Sequence, residues 1–273
     1  MYCYLCSEMI SLSSKLIEYK LKMAKIYHYT DINTLALILH NRTIRFNRLD
    51  RVDDPDEFDF EHKGLSPAGY RFVSCWTRNQ DESLPQWCMY GHNNHGVRIG
   101  LEEQMFTLYE YRERKCFLSE KDNLKGNDYI VFPNPIGNDY SITVVKYVDN
   151  PTLFRKKIIG QNGEEAFINF YELGLYKSKD WAFQKECRIT MTIVPIIKIS
   201  ENGRKSINYA FENNIPNKLT CYDLELKKDV YQSMEIMLGP SATFSEHLIV
   251  KSLMKKYLNR EDCQISRYAG KTR

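Results

Sequence analysis

Three polar residues, Gln184, Glu186 and Arg188, stand at alternate positions of one short run, and this run offers the clearest chemistry in the chain. Alternate residues of an extended strand face the same side, so the run groups an amide, a carboxylate and a guanidinium. A carboxylate is costly to bury unless it is paired or hydrogen-bonded. The run therefore indicates either a functional polar site around Glu186 or a structural Glu186–Arg188 ion pair at a strand end.

A histidine lies within the aromatic segment Tyr27-His28-Tyr29-Thr30, where a predicted strand leads into a predicted helix. An imidazole at this junction can donate or accept a hydrogen bond, and the adjoining helix N-terminus favours anions. His28 is therefore a candidate binding residue. The alternative is a structural histidine that is bonded to the local backbone.

Aromatic side chains recur in two further segments, residues 74–77, which begin at Ser74, and residues 86–91. Trp87 and Tyr90 are three positions apart on a predicted helix, so they share one helical face. Two aromatic rings on one face indicate either packing in the core or a stacking platform for a planar ligand ring.

Four acids, Asp53, Asp54, Asp56 and Glu57, surround Pro55 in a predicted loop. Closely spaced carboxylates can bind magnesium, which would suit a nuclease or a metal-dependent hydrolase. Acidic loops of this kind also occur as solvated or capping segments. The sequence leaves both interpretations open, and the second is the simpler one.

Short apolar and β-branched runs predict the strands that must position these residues. The predicted strands are residues 25–29, 43–46, 70–76, 97–101, 141–148, 188–194, 206–211, 219–226, 235–238 and 265–268. Helical periodicity and capping residues predict helices at residues 32–41, 84–90, 102–108, 164–176 and 243–258.

Strands and helices mix without strict alternation, which predicts the α+β class with mixed, largely antiparallel sheets and flanking helices. We expect a single domain over residues 23–273, preceded by an N-terminal extension at residues 1–22. Glycine and proline residues interrupt residues 109–140, so this segment is predicted to be an insertion or flap.

Composition and charge exclude several classes of protein. The net charge of +3, from 38 basic and 35 acidic residues, is too balanced to indicate nucleic-acid binding. No apolar stretch is long enough for a membrane helix, and no signal peptide is expected. The eight cysteines are scattered, which predicts free thiols in a reducing cytoplasm. Only Cys3 and Cys6 have metal-like spacing, and no second pair completes a zinc site.

Nucleotide-binding loops and serine-hydrolase motifs are absent from the sequence. Four blocks of the chain nevertheless combine aromatic, polar and glycine residues in a recognisable order. The first block is Tyr27-His28-Tyr29-Thr30 with Ile44-Arg45-Phe46 and Asp53-Asp54-Pro55-Asp56-Glu57-Phe58. The second block is Val73-Ser74-Cys75-Trp76 with Gln86-Trp87-Cys88-Met89-Tyr90-Gly91 and His95-Gly96-Val97. The third block is Lys179 and Trp181 with the run from Gln184 to Arg188, and the fourth is Ile236-Met237-Leu238-Gly239-Pro240.

In this order, the blocks resemble a bacterial family that is known as domain-of-unknown-function family 2971. The resemblance covers about residues 25–270. The chain has Gln184 where this family usually has an acid, and Asp53 where it usually has an asparagine. A polar side chain is kept at both positions.

A second resemblance concerns His28 on an early strand, Ser74 on a middle strand and the late pair Gln184 and Glu186. Their order is similar to that in ADP-ribosyltransferase-like proteins, which combine an early His or Arg, a middle Ser or Tyr and a late Gln/Glu-x-Glu. This resemblance implies an ADP-ribosyltransferase-like split sheet. It also implies NAD as a substrate, and no metal is expected.

The chemistry that this resemblance implies is cleavage of the bond between nicotinamide and ribose through an oxocarbenium-like state. Glu186, with Gln184 beside it, would be the catalytic carboxylate that stabilises the developing charge. The implied NAD-binding residues are His28 with Tyr29 and Thr30 for the adenosine ribose, Arg45 for a phosphate, Ser74 on the middle strand, and Trp87 or Tyr90 for stacking on nicotinamide.

The sequence thus predicts an NAD-dependent ADP-ribosyltransferase or NAD glycohydrolase-like effector in bacterial defence or a toxin–antitoxin system. Its partners would be a nucleotide-like small molecule and a protein or nucleic-acid acceptor, with no membrane. The alternative is a non-enzymatic module of such a system that senses nucleotides or binds proteins.

Overall fold

A computed structural model describes the chain over residues 25–58, 61, 64, 66–111, 114–123, 128–134, 142–162, 165–198, 205–206 and 208–271. The predicted N-terminal extension at residues 1–22 lies outside the described residues, and part of the predicted flap does too.

Strands and helices are interspersed along the described chain. The strands are β1 (Lys25–Thr30), β2 (Thr43–Arg48), β3 (Arg71–Thr77), β4 (Val97–Glu102), β5 (Tyr109–Tyr111), β6 (Arg114–Cys116), β7 (Tyr129–Asn134), β8 (Thr143–Val144), β9 (Lys146–Val148), β10 (Ile159–Asn162), β11 (Glu165–Ile168), β12 (Tyr176–Ser178), β13 (Glu186–Pro195), β14 (Ile197–Lys198), β15 (Lys205–Ser206), β16 (Cys221–Glu225), β17 (Glu235–Leu238) and β18 (Gln264–Ile265). The helices are α1 (Ile32–Asn41), α2 (Leu84–Met89), α3 (Glu120–Asn123), α4 (Arg155–Ile158), α5 (Asn208–Glu212), α6 (Lys228–Gln232) and α7 (Phe244–Leu258).

The chain divides into two compact units. The single domain over residues 23–273 stays a prediction. The first unit comprises Met1–Ala36, Arg78–Met105 and Lys227–Arg273, and the second comprises Leu37–Thr77 and Phe106–Leu226. Each unit draws on separated stretches of chain, and the boundary at residues 36 and 37 lies within α1.

The first unit is built on strands β1, β4, β17 and β18. β4 pairs antiparallel with both β1 and β17, and β18 adds to β17 in parallel. Helix α7 begins at a capping box, in which Thr243 and Glu246 satisfy each other's backbone amides. Its residues Val250 and Met254 are fully buried, so one helical face contributes to the core.

The second unit contains antiparallel strands in the order β16, β2, β3 and β13, with β7 and β8 along the other side of β13. Smaller pairs surround this sheet: β9 with β12 in parallel, and the antiparallel pairs β5–β6, β10–β11 and β14–β15. The α+β class with mostly antiparallel sheets is therefore confirmed. The finer prediction of an ADP-ribosyltransferase-like split sheet stays a prediction.

Strands β3 and β13 bury both of their faces, but only one face is apolar. Because paired residues share a face, the register assigns each side chain. The apolar face carries Phe72, Trp76, Cys187, Ile189, Met191 and Ile193. The polar face carries Arg71, Thr77, Glu186, Arg188, Thr190 and Thr192, with Val73 and Cys75 between them. Every residue of β13 is buried, so its polar side chains need partners within the protein.

Most predicted elements are confirmed, and two predicted helices are wrong. No helix forms at residues 102–108, where the ring of Phe106 lies 5.8 Å from that of Phe46 and 5.9 Å from that of Phe117. Strand β11 occupies residues 165–168, and a turn follows over residues 170–174, where the sequence predicted a helix. Gly174 has a φ of 74° in that turn, a left-handed conformation that interrupts a helix.

Three predicted strands also differ from the structure. Residues 208–212 form helix α5, so the strand predicted at 206–211 is wrong except at β15. The edge strand predicted at 265–268 is reduced to β18, and turns follow it. The strand predicted at 141–148 is divided into β8 and β9, which pair with different partners.

The described cysteines are Cys75, Cys88, Cys116, Cys187, Cys221 and Cys263, and none of these six forms a disulfide. The prediction of free thiols is confirmed for these residues, whereas Cys3 and Cys6 lie outside the described chain. Among the helices that the structure describes, none has the length and apolar character needed to span a bilayer.

Gly96 lies at a close backbone approach that excludes a side chain. A Cβ added there would lie 2.2 Å from the carbonyl oxygen of Thr30 and 2.9 Å from that of Gly91. We expect Gly96→Ala to lower the free energy of unfolding by about 2 kcal/mol, because backbone atoms must move to admit the methyl group. Urea unfolding of the purified variant measures this loss.

Gly69→Ala is the matched control, because its added Cβ meets nothing within 4 Å. Its free energy of unfolding should stay within about 0.5 kcal/mol of the wild type. Equal stability of the two variants would show that the turn at Gly96 relaxes without cost.

Candidate functional site

A buried ion cluster, formed by Glu57, Lys177, Glu186 and Arg188, lies on the polar face of the second unit. Arg188 uses every donor of its guanidinium. Its Nε lies 2.5 Å from Oε1 of Glu186, and its Nη2 lies 3.1 Å from Oε2 of Glu186 and 2.9 Å from Oε1 of Glu57. Nη1 donates to Oε2 of Glu57 and, at 2.8 Å, to the carbonyl of Gly174. The guanidinium therefore forms bidentate ion pairs with both carboxylates.

Lys177 connects the same two carboxylates from the other side. Its Nζ lies 2.9 Å from Oε1 of Gln184, 3.1 Å from Oε2 of Glu186 and 3.2 Å from Oε1 of Glu57. An ammonium has three N–H donors, so these three contacts account for all of them. Two cations and two carboxylates balance in charge, which satisfies the requirement for burying such groups.

Gln184 and Glu186 converge on Lys177 through a turn, not through an extended chain as the sequence predicted. Gln184 ends a 3₁₀ helix at Lys179–Gln184, and Glu186 begins β13. Between them, Lys185 adopts a left-handed conformation with a φ of 44°. The grouping of these side chains is thus confirmed, while the backbone geometry behind it is different.

Glu186 is held in its ionised form. Burial alone would raise its pKa, but the charges of Arg188 and Lys177 outweigh burial and lower the pKa to about 2. The thiol of Cys75 also hydrogen-bonds this carboxylate, and burial raises the pKa of that thiol well above its ordinary value. Glu186 is therefore a fixed anion at neutral pH.

The stabilisation by Glu186 should depend on pH in one direction. Its folded pKa of about 2 lies below the ordinary value of 4.5, so its contribution is complete above about pH 4.5. That contribution is lost as the pH falls from about 4.5 towards 2. We expect the stability difference between the wild type and Glu186→Gln to shrink over this range in urea unfolding experiments. A difference that stays constant from pH 7 to pH 3 would contradict the assignment.

One end of the ion cluster adjoins half-buried aromatic side chains. The ammonium of Lys177 lies 5.0 Å from the ring centroid of Trp181, and the ring of Phe183 lies 6.3 Å from that of Trp181. Tyr147 accepts a 2.7 Å hydrogen bond from the backbone amide of Glu186 through its hydroxyl, and burial raises the pKa of Tyr147 to about 12. The side chain of Glu186 is 7% exposed, whereas that of Glu57 is fully enclosed.

Ser74 does not face the ion cluster. It pairs with Ile189, so it lies on the apolar face of the sheet, and its Oγ accepts a 2.9 Å hydrogen bond from the indole of Trp76. Its neighbour Cys75 occupies the polar face beside Glu186. The structure therefore brings Cys75, and not Ser74, to Glu186.

Arg45 is engaged at the edge of the second unit. Its Nε and Nη2 each lie 2.8 Å from a carboxylate oxygen of Asp223 on the neighbouring strand β16. This pairing raises the pKa of Arg45. A phosphate at Arg45, as the sequence predicted, would have to compete with Asp223 for the guanidinium.

Strand β1 belongs to the first unit. Its successive side chains point to opposite faces of the sheet, so the predicted binding residues of this strand do not all lie on one face. His28 is half-buried and pairs with Ile99, while Thr30 pairs with Val97 on the same face. Tyr29 points to the other face, where the guanidinium of Arg98 lies 5.9 Å from its ring centroid. These three side chains cannot all contact one ligand from one face of the strand.

Trp87 is a core residue of the first unit. It is fully buried, its indole donates a 2.9 Å hydrogen bond to Glu82, and its ring meets Tyr29 edge to face at 4.9 Å. Full burial of the ring favours the core-packing interpretation of Trp87 over the stacking platform. Tyr90 is half-buried just after α2.

The acidic run at residues 53–57 divides between solvent and core. Asp53 and Asp56 are exposed, whereas Asp54 and Glu57 are buried. Asp54 caps the short helix Pro55–Glu57 by accepting from the amide of Asp56 at 3.1 Å. Over the described ranges, no group of three or more His, Cys, Asp or Glu residues is placed to hold a metal ion.

Sequence reasoning missed Glu57, Lys177, Cys75 and Tyr147 as members of the cluster. Glu57 was assigned to a loop whose acids were interpreted as solvated, capping or magnesium-binding, although the apolar Phe58 beside it was a signal that the loop folds inward. Lys177 lay just beyond a wrongly predicted helix. For Cys75, the period-two pattern of β3 could have shown that it and Arg71 share a face.

Comparison with known proteins reveals no relative of the chain. The chain matches no family model, no curated protein and no solved structure.

Proposed function

We propose that the chain cleaves the bond between nicotinamide and ribose in NAD and transfers the ADP-ribosyl group to an acceptor or to water. The observation that carries this proposal is the convergence of Gln184 and Glu186 on Lys177, which holds an ionised carboxylate at the less enclosed end of a buried ion cluster. In this reaction the bonding electrons leave with nicotinamide, and positive charge develops on the ribose.

A carboxylate beside the ribose stabilises that developing charge by accepting a hydrogen bond from a ribose hydroxyl. Glu186 is suited to this because its pKa of about 2 keeps it ionised. Its present donors are three N–H groups and the thiol of Cys75. A thiol is the weakest donor among them, so a ribose hydroxyl would displace Cys75 before it displaced Lys177 or Arg188.

The aromatic groups beside the cluster support the binding of a planar ring. Trp181 and Phe183 are half-buried, so each ring retains a surface that a nicotinamide could contact. Trp181 would thus take the stacking role that the sequence assigned to Trp87 or Tyr90. Gln184 would act as a positioning residue that fixes Lys177.

The other assignments from the sequence stay predictions. They are the contacts of His28, Tyr29 and Thr30 with the adenosine ribose, a protein or nucleic-acid acceptor, a cytoplasmic location and a role in bacterial defence or a toxin–antitoxin system.

A second candidate function is favoured because the hydrogen-bond donors of the ion cluster are all engaged within the protein. Lys177 and Arg188 have no unused donor, and Glu186 already has four donors of its own. Such a complete network stabilises a fold without taking part in chemistry. The chain would then be a non-enzymatic module that senses a nucleotide through its aromatic side chains.

Two measurements on the purified full chain separate these functions. The first is nicotinamide release from NAD, in buffer and with total cell extract that supplies an acceptor. The second is the shift in thermal unfolding midpoint that NAD causes. Release with stabilisation supports the enzyme. Stabilisation without release in any extract supports the sensor, and neither response would exclude both.

A further inference from the structure

Arg71 is a second buried arginine on the polar face, and its guanidinium is almost unpaired. The residue is 1% exposed, and its Nη2 donates a 2.7 Å hydrogen bond to Oγ1 of Thr190. Its Nε and Nη1 are buried without any hydrogen-bond partner. Three of the five N–H bonds of this guanidinium therefore lack an acceptor.

Arg188 lies on the same face of the sheet, but its guanidinium is fully hydrogen-bonded and ion-paired, unlike that of Arg71. Arg188 has acceptors for all of its donors and two carboxylates for its charge, whereas Arg71 forms no ion pair with any described residue. Burial, together with the charge of Arg188, lowers the pKa of Arg71 to about 9. The guanidinium remains charged at neutral pH, so its burial calls for a counter-charge.

No acid of the ion cluster supplies that counter-charge. Glu57 and Glu186 are bound to Lys177 and Arg188, and these four charges already balance. Asp54, the other buried acid of the neighbouring loop, accepts from the amide of Asp56 and has its electrostatic contacts with Glu57, Lys177 and Asp56. Arg71 therefore has no paired carboxylate among the described residues of the polar face.

We propose that Arg71 and Thr190 bind a small oxyanion, a carboxylate or phosphate group, within the polar face of the second unit. Such a ligand supplies one or two negative charges and several acceptor oxygens, which match the free N–H bonds of Arg71. The hydroxyl of Thr190 can donate to the same ligand while it accepts from Arg71. Because Arg71 is enclosed by the protein, the ligand must be small. This site does not depend on the proposed cleavage of NAD.

Thermal unfolding of the full chain in sodium formate, sodium phosphate or sodium chloride at equal ionic strength tests the proposal. Formate represents a carboxylate ligand, and phosphate represents a phosphoryl ligand. We expect formate or phosphate to raise the unfolding midpoint saturably by about 3 °C beyond chloride. Arg71→Met should lose this response, because methionine fills the space without a donor.

Arg78→Met is the matched control, because Arg78 is exposed and already paired with Glu103. It should keep the full response to formate or phosphate. An equal response in Arg71→Met and the wild type would overturn the proposal, since the anions would then act elsewhere. So would a wild type that responds to neither anion beyond chloride, since buried water would then satisfy Arg71.

A second measurement keeps the proposal testable if Arg71→Met does not fold. Saturation-transfer NMR on the wild type detects bound formate directly, and Thr190→Val removes one ligand contact with little change in volume. We expect transfer to formate in the wild type and binding that is several-fold weaker in Thr190→Val. Absence of transfer in the wild type, or unchanged binding in Thr190→Val, would overturn the site.

Discussion

Glu57→Gln is expected to lower the free energy of unfolding by about 4 kcal/mol, as measured by urea denaturation at pH 7. The side chain of Glu57 is fully enclosed and accepts from Arg188 through both of its oxygens, with Lys177 at 3.2 Å. Glutamine keeps the shape but removes the charge. Lys177 and Arg188 would then have only Glu186 as a partner carboxylate, which leaves one buried positive charge uncompensated. Such a charge is among the costliest defects in a protein.

Glu235→Gln is the matched control for this prediction. Glu235 pairs with Lys25 at a site where the two side chains are 35% and 31% exposed. Solvent screens such a pair, so the same substitution should cost less than about 1 kcal/mol. Equal losses in the two variants would show that the buried cluster contributes no more than a surface ion pair.

Glu186→Gln is expected to reduce nicotinamide release from NAD by about a thousandfold. The amide occupies the space of the carboxylate but carries no charge to stabilise the oxocarbenium-like state. The variant also weakens the ion cluster, so its rate must be measured below its unfolding midpoint and expressed per folded molecule. A rate within tenfold of the wild type would contradict a catalytic role for Glu186.

Glu57→Gln is the matched variant for the activity measurement as well. It removes a carboxylate from the same cluster, but Glu57 is enclosed and cannot touch a bound nucleotide. Its rate per folded molecule should stay within about tenfold of the wild type, despite its lower stability. The two glutamate variants thus separate catalysis from support of the fold.

The elements that carry the site could largely be predicted, because their signals are local. The apolar and β-branched residues around Met191 predicted β13, and the alternation of polar side chains grouped Glu186 with Arg188. Thr243 predicted the start of α7 through its capping side chain. In each case, the residues that carry the signal lie within one element.

The partners of Glu186 could not be predicted in the same way, because they come from distant parts of the chain. Glu57 is separated from Arg188 by 131 residues, and only the folded sheet brings them together. The acids around Pro55 look alike in the sequence, yet Glu57 is enclosed while Asp56 is exposed. Their difference in burial is a property of tertiary packing and not of local composition.

The left-handed turn at Lys185 was also beyond prediction. Lysine rarely adopts a positive φ, so nothing in the sequence signalled that Gln184 and Glu186 meet through a turn. Likewise, the choice between Ser74 and Cys75 depends on the register of β3, which a single sequence does not determine.

The most direct test of the proposed function is nicotinamide release from NAD by the wild type, Glu186→Gln and Glu57→Gln, each with total cell extract and at equal folded concentration. We predict release by the wild type and by Glu57→Gln, and about a thousandfold less by Glu186→Gln. Equal release by the wild type and Glu186→Gln would contradict the proposal. It would also be contradicted if NAD stabilised the wild type while no extract supported release.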